Sequence, residues 1–108
     1  MRQRVVIDCH ALWERTVGQP GGLRAVQRWL RLNGIEPAEV PLHSEIVIEP
    51  SAFGRLIRYT TYLRNADGHR YTDPDNRDFA ASEDRTAVLR VEPEPKWIGQ
   101  GGIGGAGR

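Results

Sequence analysis

The stretch Leu23–Leu42, LRAVQRWLRLNGIEPAEVPL, decides the fold because pattern, start signal and stop signal agree on one structure. Its apolar residues recur at helical spacing and fall on one side of a helical wheel. They are Leu23, Ala25, Val26, Trp29, Leu30 and Leu32. The pattern predicts an amphipathic helix from Leu23 to Asn33. A helix of this length is not stable alone in water, so its apolar side must pack on the rest of the chain.

Both ends of this helix are marked in the sequence. Pro20-Gly21-Gly22 cannot extend the helix backwards. Asn33-Gly34 is typical of a helix C-terminus, with Gly34 in the left-handed conformation and Ile35 folding back onto the last turn. The following segment, Glu36–Pro41, suggests one short turn that begins at Pro37.

The remaining regular elements are predicted to be strands. Alternating or β-branched runs mark Arg4–Asp8, Glu45–Glu49, Arg55–Arg64 and Arg85–Glu92. Pro50 is expected to end the second strand. The stretch Cys9–Thr16 fits either a helical turn or two or an irregular connection, and Arg77–Asp84 is interpreted as a polar excursion.

The third strand is predicted to continue into a hairpin through Asn65–Gly68, a type I turn closed by a glycine bulge. This register places Leu63 opposite Tyr71, inside, and Arg64 opposite Arg70, outside. The expected fold class is α+β, with one main helix packed on a small antiparallel sheet of three to five strands. Residues 1–98 are expected to form a single domain, followed by a glycine-rich C-terminal tail at 99–108.

Composition limits the function classes. The chain has 108 residues and a net charge of only +1, although 14 of its 15 basic residues are arginine. A global attraction to nucleic acid or membrane is therefore not expected. The single cysteine, Cys9, allows no internal disulfide, and the apolar run after Met1 is too short for a membrane span. A cytoplasmic location, or a virion if the protein is structural, is the expectation.

The first candidate interface is an arginine stripe on the main helix. Arg24, Arg28 and Arg31 are spaced i, i+4 and i+7 and share one face about 10 Å long. The helix from Leu23 to Asn33 contains no acidic residue that can neutralise them. The stripe can meet phosphates or an acidic partner surface, or it can be an ordinary solvated face.

The second candidate is the outer face of the sheet. The residues expected there are Arg58, Tyr62, Arg64, Arg70 and Arg90. Basic sheets with exposed aromatic residues stack single-stranded bases. However, only one aromatic residue is clear, and Glu45, Glu49 and Glu92 on the same face can pair with the arginines. A salt-bridged solvent face is the alternative.

No catalytic or metal site is predicted. Neighbouring residues of a strand point to opposite faces, so Cys9 and His10 are not expected to form a nucleophile–base pair. The acidic run Asp73–Asp78 lacks the glycine and the glutamate that a calcium loop needs. No cofactor is expected. Trp97 either folds back onto the domain or serves as an anchor for a partner.

Four stretches carry a resemblance: RWLRLNGIEPAEVP (28–41), IRYTTYLRNADGH (57–69), DPDNRD (73–78) and LRVEP (89–93). With its tryptophan-bearing helix, NGI-x-P turn and NADG-type hairpin, the chain resembles small uncharacterised proteins of actinobacteria and their phages over residues 20–95. The resemblance implies a phage or mobile-element origin, but it carries no activity and no site residues.

From these observations we expect a non-enzymatic interaction protein that binds a macromolecular partner. A protein partner is favoured over a nucleic acid. The alternatives are a virion structural or assembly component ordered by neighbouring subunits, and a nucleic-acid-binding regulator. A homo-oligomer or larger assembly is expected to be possible because a small open sheet leaves unpaired edges.

Overall fold

The computed structural model describes residues 4–98. They form an α+β fold that begins with a strand and two helices and continues with five strands. In chain order the elements are β1 (Val5–Asp8), α1 (Cys9–Val17), α2 (Gly22–Leu32), a 3-10 turn (Pro37–Glu39), β2 (Glu45–Ser51), β3 (Gly54–Tyr62), β4 (Thr72–Asp73), β5 (Asn76–Ala80) and β6 (Ser82–Val88). The predicted fold class is confirmed. The predicted tail at 99–108 lies outside the described residues.

The main sheet has four antiparallel strands in the order β1-β2-β3-β6. The register places Ile7 opposite Ile46, and Ile48 opposite Ile57. Because side chains alternate between the two faces of a strand, these four isoleucines share the face that the helices cover. They are almost completely buried.

The core is completed by helical and C-terminal side chains. Leu12 of α1 and Val26, Trp29 and Leu30 of α2 join the isoleucines in one buried cluster. Trp97 belongs to the same cluster, and its ring meets that of Trp29 edge-on, with 5.7 Å between the centroids. This edge-to-face geometry is favourable for aromatic pairs.

The segment after β1 is a helix, which settles the alternative that the sequence left open. Asp8 ends β1 and caps α1, since its carboxylate accepts a hydrogen bond from the Ala11 backbone N–H at 3.0 Å. Leu12 is buried by this helix, whereas Trp13 remains 39% exposed. The prediction of one main helix therefore understates the helical layer, which contains both α1 and α2.

The predicted end of α2 is confirmed in detail. Gly34 has a φ of 80°, and the backbone N–H groups of Gly34 and Ile35 donate to the carbonyls of Arg31 and Leu30, each at 2.9 Å. These two bonds define a Schellman motif. Ile35 folds back into the core, and Pro37 begins the predicted 3-10 turn.

Asn33, just after α2, connects this helix to the C-terminal segment. The side chain is 2% exposed and forms four hydrogen bonds. Its Nδ2 donates to the carbonyls of Trp29 at 3.0 Å and Val91 at 3.1 Å. Its Oδ1 accepts from the backbone N–H groups of Arg90 at 2.7 Å and Val91 at 3.0 Å. Three of these four bonds hold the chain after β6 against α2, and the fourth joins the side chain to the last turn of α2 itself.

Predictions for the second half of the chain are partly wrong. Pro50 does not end β2, which continues to Ser51 because a proline opposite Arg55 is accommodated next to the hairpin turn. The Asn65–Gly68 turn forms as predicted, with Asn65 accepting from the backbone N–H groups of Asp67 and His69. The bridge between Arg64 and Arg70 is also confirmed.

Beyond that bridge the hairpin separates. The N–H of Leu63 donates to Ala81, so Leu63 does not pair with Tyr71. Instead, β4 pairs with β5 in a separate two-stranded sheet, and β6 takes the place beside β3. The predicted polar excursion Arg77–Asp84 is therefore strand for most of its length, and the last strand ends at Val88 rather than Glu92.

We expect Asn33→Ala to lower the free energy of unfolding by about 2–4 kcal/mol, because it leaves buried backbone groups without partners. Chemical denaturation followed by tryptophan fluorescence would measure it. The control is Asn76→Ala, whose side chain makes one exposed hydrogen bond to the Asp78 backbone. Equal effects of the two substitutions would contradict the role assigned to Asn33.

Candidate functional site

The solvent side of α2 carries the arginines that the sequence singles out. Arg24, Arg28 and Arg31 are all exposed. Arg31 lies 3.8 Å from the Glu36 carboxylate. Within residues 4–98, neither Arg24 nor Arg28 forms an ion pair or a side-chain hydrogen bond. The predicted stripe is thus divided into one paired arginine and two whose donors face solvent.

The absence of a partner for Arg24 and Arg28 contrasts with the other arginines of residues 4–98. Most of them bind a carboxylate or a backbone carbonyl, for example Arg58 with Glu49 at 2.7 Å. Arg77 on β5 and Arg90 after β6 also have exposed side chains without a partner in the described region. Among these unpartnered arginines, Arg24 and Arg28 alone stand one helical turn apart on the same element.

A groove runs beside these two arginines, between α2 and residues 91–97. Its volume is about 420 Å³. The side chains that line it come from both sides and are Arg24, Ala25, Arg28, Trp29, Leu32, Val91, Glu92, Glu94 and Trp97, with Gly21 at one end. We call this feature the α2 groove. The sequence pattern indicates its helical side but not its second side, which is placed by contacts between residues about 60 positions apart in the chain.

The floor of the α2 groove is fixed by hydrogen bonds. The indole N–H of Trp29 donates to the Val91 carbonyl at 2.7 Å. Arg15 of α1 donates from Nη2 to the Trp97 carbonyl at 2.6 Å. Because these bonds hold both ends of the segment 91–97, the second side of the groove is fixed in place without a bound partner.

Trp97 belongs to the core and is not an exposed anchor. It is 3% exposed and packs against Trp29. The sequence left open whether Trp97 folds back onto the domain or serves as an anchor for a partner, and in the structure it folds back onto the domain. Its contribution to the α2 groove is therefore to support the floor. The apolar surface that remains accessible there belongs to Leu32, 48% exposed, and Val91, 39% exposed.

The two sides of the α2 groove differ in charge. Arg24 and Arg28 stand on the α2 side, whereas Glu92 and Glu94 stand on the other. Both glutamates are held by cations: Glu92 binds Arg55, and Glu94 lies 3.4 Å from Lys96. The groove therefore has one side with uncompensated positive charge and one side that is close to neutral.

The outer sheet face is a paired surface. The register places Arg58 and Tyr62 away from the helices, as predicted. Glu49 contacts Arg58 and also lies 3.6 Å from Arg4, while Thr60 donates to Asp84 across the strands at 2.9 Å. Cross-strand pairs of this kind satisfy the cations locally and leave no continuous basic platform.

Arg64 and Arg70 bind the 3-10 turn and do not form a free basic patch. Arg64 Nη2 donates to Glu39 at 2.6 Å, and Arg70 donates to the Ala38 carbonyl at 2.6 Å. Arg70 also stacks over the Tyr62 ring, with its guanidinium carbon 4.1 Å from the centroid. The hydrogen bond from Arg64 lowers the pKa of the Glu39 carboxyl below its usual value, and the charge of both arginines adds to the effect.

Arg90 is placed wrongly by the sequence prediction. Because β6 ends at Val88, Arg90 is outside the sheet, in the segment that Asn33 holds against α2. Of the five residues predicted for the outer face, Arg58 and Tyr62 occupy it in the expected way. Arg64 and Arg70 instead bind the 3-10 turn, and Arg90 lies outside the sheet.

Cys9 and His10 do not meet as a catalytic pair. Both lie in the first turn of α1, where His10 approaches Glu14 at 3.7 Å and Cys9 Sγ lies 3.9 Å from Ser44 Oγ. Burial raises the pKa of the Cys9 thiol to about 11, the opposite of what an activated nucleophile requires.

The acidic run Asp73–Asp78 spans the end of β4, a two-residue turn at Pro74 and Asp75, and the start of β5. Asp73 and Asn76 use their side chains to accept from backbone N–H groups two residues ahead. In the part of the chain that the structure describes, no group of three or more histidine, cysteine or acidic residues is placed to hold a metal ion. Nor does any helix of residues 4–98 have the length and apolarity to cross a membrane.

A second cavity, of about 130 Å³, lies between α1, α2 and residues 37–46. Its lining is mainly apolar and includes Leu12, Trp13, Leu23 and Leu42. The sequence did not indicate it, because its α1 side belongs to the stretch that could not be assigned from pattern alone.

No protein-family model matches the chain, and no curated protein or solved structure has significant similarity to it. The resemblance to actinobacterial and phage proteins therefore stays a prediction.

Alkylation measures the state of the single thiol. At pH 8, iodoacetamide should react with Cys9 in the folded protein roughly 100-fold more slowly than in urea, because the thiolate is rare at a raised pKa and the thiol is buried. Mass spectrometry of the intact chain gives both rates. Similar rates in the two states would show that the thiol is accessible and ionised.

Glu39 should make stability depend on acid pH. Its folded pKa is lowered, so the stabilisation is present above the pKa of about 4.3 in the unfolded chain and is lost as pH falls through the folded value. Glu39→Gln should therefore reduce stability more at pH 6 than at pH 3, measured by thermal unfolding. A deficit that is independent of pH would contradict this assignment. Glu83→Gln, in an exposed pair with Arg85 on β6, is the control.

Proposed function

We propose that this protein is a non-enzymatic interaction domain of phage or mobile-element type, and that it binds a macromolecular partner, a protein, through the exposed side of α2. The observation that carries the proposal is the pair of solvent-facing guanidinium groups of Arg24 and Arg28 beside the α2 groove. Their donors have no partner in residues 4–98, although most other arginines there do.

Uncompensated charge next to accessible apolar surface supports binding at this place. Arginine is enriched in protein interfaces, where its planar donors can bind a carboxylate in bidentate fashion. Leu32 and Val91 supply apolar area within the same groove. A partner that covers the groove would pair the two cations and remove this area from water, which are two independent sources of affinity.

The distribution of charge on the chain favours a protein partner over a nucleic acid. The net charge of the chain is +1, so there is no global attraction to a polyanion. The outer sheet face, which is the other candidate for nucleic acid, has its arginines paired by Glu49 and Glu39. We therefore assign the macromolecular partner to the protein class.

Affinity capture from cells that naturally make the protein tests this proposal. Arg24→Glu/Arg28→Glu should abolish recovery of the partner that the unchanged chain retains, as identified by mass spectrometry. The matched control is Arg77→Glu/Arg85→Glu, which changes the net charge equally at exposed sites on β5 and β6. If both double variants retain the partner, binding does not use α2. If both lose it, only overall charge matters, and the proposal is wrong.

A further inference from the structure

The geometry of the α2 groove also defines what kind of protein segment it can take. We infer that it binds an extended, acidic segment in which carboxylates two residues apart alternate with apolar side chains. This inference rests on the proposed function and specifies the chemistry of the partner.

The distance between Arg24 and Arg28 along the helix matches the distance between alternate residues of an extended segment. Residues four apart on a helix are separated by about 6 Å along its axis. In an extended chain, residues two apart are separated by about 6.6 Å and point to the same side. Two acidic residues with one residue between them can therefore meet Arg24 and Arg28 together. A segment with acidic residues at neighbouring positions would direct one of them away from the arginines.

The apolar lining of the groove determines which type of residue can stand between the two acidic residues of the segment. Alternate side chains of an extended segment point in opposite directions, so the residue between the two acids points away from the arginines and across the groove. There it meets Val91, beside the buried indoles of Trp29 and Trp97. This surface has room for an aliphatic side chain, and a charged one would lose its hydration there without gaining a partner.

An extended segment suits the groove because it can insert one side chain at a time between α2 and residues 91–97. The firmly held floor suits this mode, because little order must be imposed on the groove when a segment binds.

A single-stranded nucleic acid also spaces its charges regularly, yet the groove disfavours it. Bases bind such sites by stacking on aromatic faces. Trp29 and Trp97 line the groove but are each 3% exposed, so they present no free face. The far side of the groove, where Glu92 and Glu94 are held by cations, offers a continuous polyanion no further free positive charge, while a peptide can place an uncharged side chain there.

Fluorescence anisotropy with short labelled peptides tests the inference. The main probe is a hexapeptide of alternating glutamate and leucine. Three comparison probes are a glutamate–serine hexapeptide, a lysine–leucine hexapeptide and an oligothymidylate of eight nucleotides. The glutamate–leucine probe should bind, and the serine and lysine versions should bind at least about fivefold more weakly, since each lacks one of the two required contacts.

The variants assign the binding to residues. Arg24→Glu/Arg28→Glu should weaken binding of the glutamate–leucine probe about tenfold or more, and Val91→Ser should weaken it about fivefold. Arg31→Glu serves as a control from the same helix, because Arg31 lies outside the groove and beside Glu36. Circular dichroism of each variant checks that the fold is retained. Arg24→Gln/Arg28→Gln repeats the test with a smaller change of charge.

Several results would overturn the inference. These are equal binding of the serine probe, tighter binding of the oligothymidylate, no effect of Val91→Ser, an Arg31→Glu loss as large as that of the double variant, or no binding of the main probe at about 1 mM. If capture of the natural partner depends on Arg24 and Arg28 while the peptide results fail, the proposed function stands and only the segment chemistry is wrong. If the peptide results hold but capture of the natural partner is unaffected by Arg24→Glu/Arg28→Glu, the proposed function is wrong.

Discussion

The complete hydrogen bonding of one buried amide, that of Asn33, is the constraint on which the rest of the structure depends. A buried polar side chain is tolerated only where its donors and acceptors are paired. Asn33 achieves this by joining the last turn of α2 to Arg90 and Val91. The chain after β6 is thereby held beside the helix, Trp97 reaches the core, and the α2 groove acquires its second side.

The distribution of paired arginines follows from the same arrangement. On the sheet and the hairpin, acidic residues from neighbouring strands or from the 3-10 turn lie within reach, as Glu49 does for Arg58 and Glu39 for Arg64. The helix has no acidic residue of its own, and the glutamates brought near it are held by Arg55 and Lys96. Two positive charges thus remain on α2 because each nearby anion is held by another cation.

Sequence pattern predicted those features whose hydrogen bonds are local. The end of α2 at Gly34, the turn at Pro37 and the Asn65–Gly68 turn all depend on residues at most a few positions apart, and all three are confirmed. The pairing of β4 with β5 and of β6 with β3 was missed, since polar strands lack a clear alternation and strand pairing is a competition between distant segments. For the site, pattern placed Arg24 and Arg28 on one face but could not show which arginines remain unpaired.

Electrostatics and packing therefore make different contributions to what α2 can recognise. Two exposed guanidinium groups alone attract any anion and discriminate little, because exposed pairs contribute about 1 kcal/mol or less. Discrimination requires a contact that a wrong partner cannot make, and the apolar floor supplies one. Because Asn33, Trp29 and Arg15 hold Val91 and Trp97 in place, the selectivity that we propose for the groove depends on hydrogen bonds made within the chain itself.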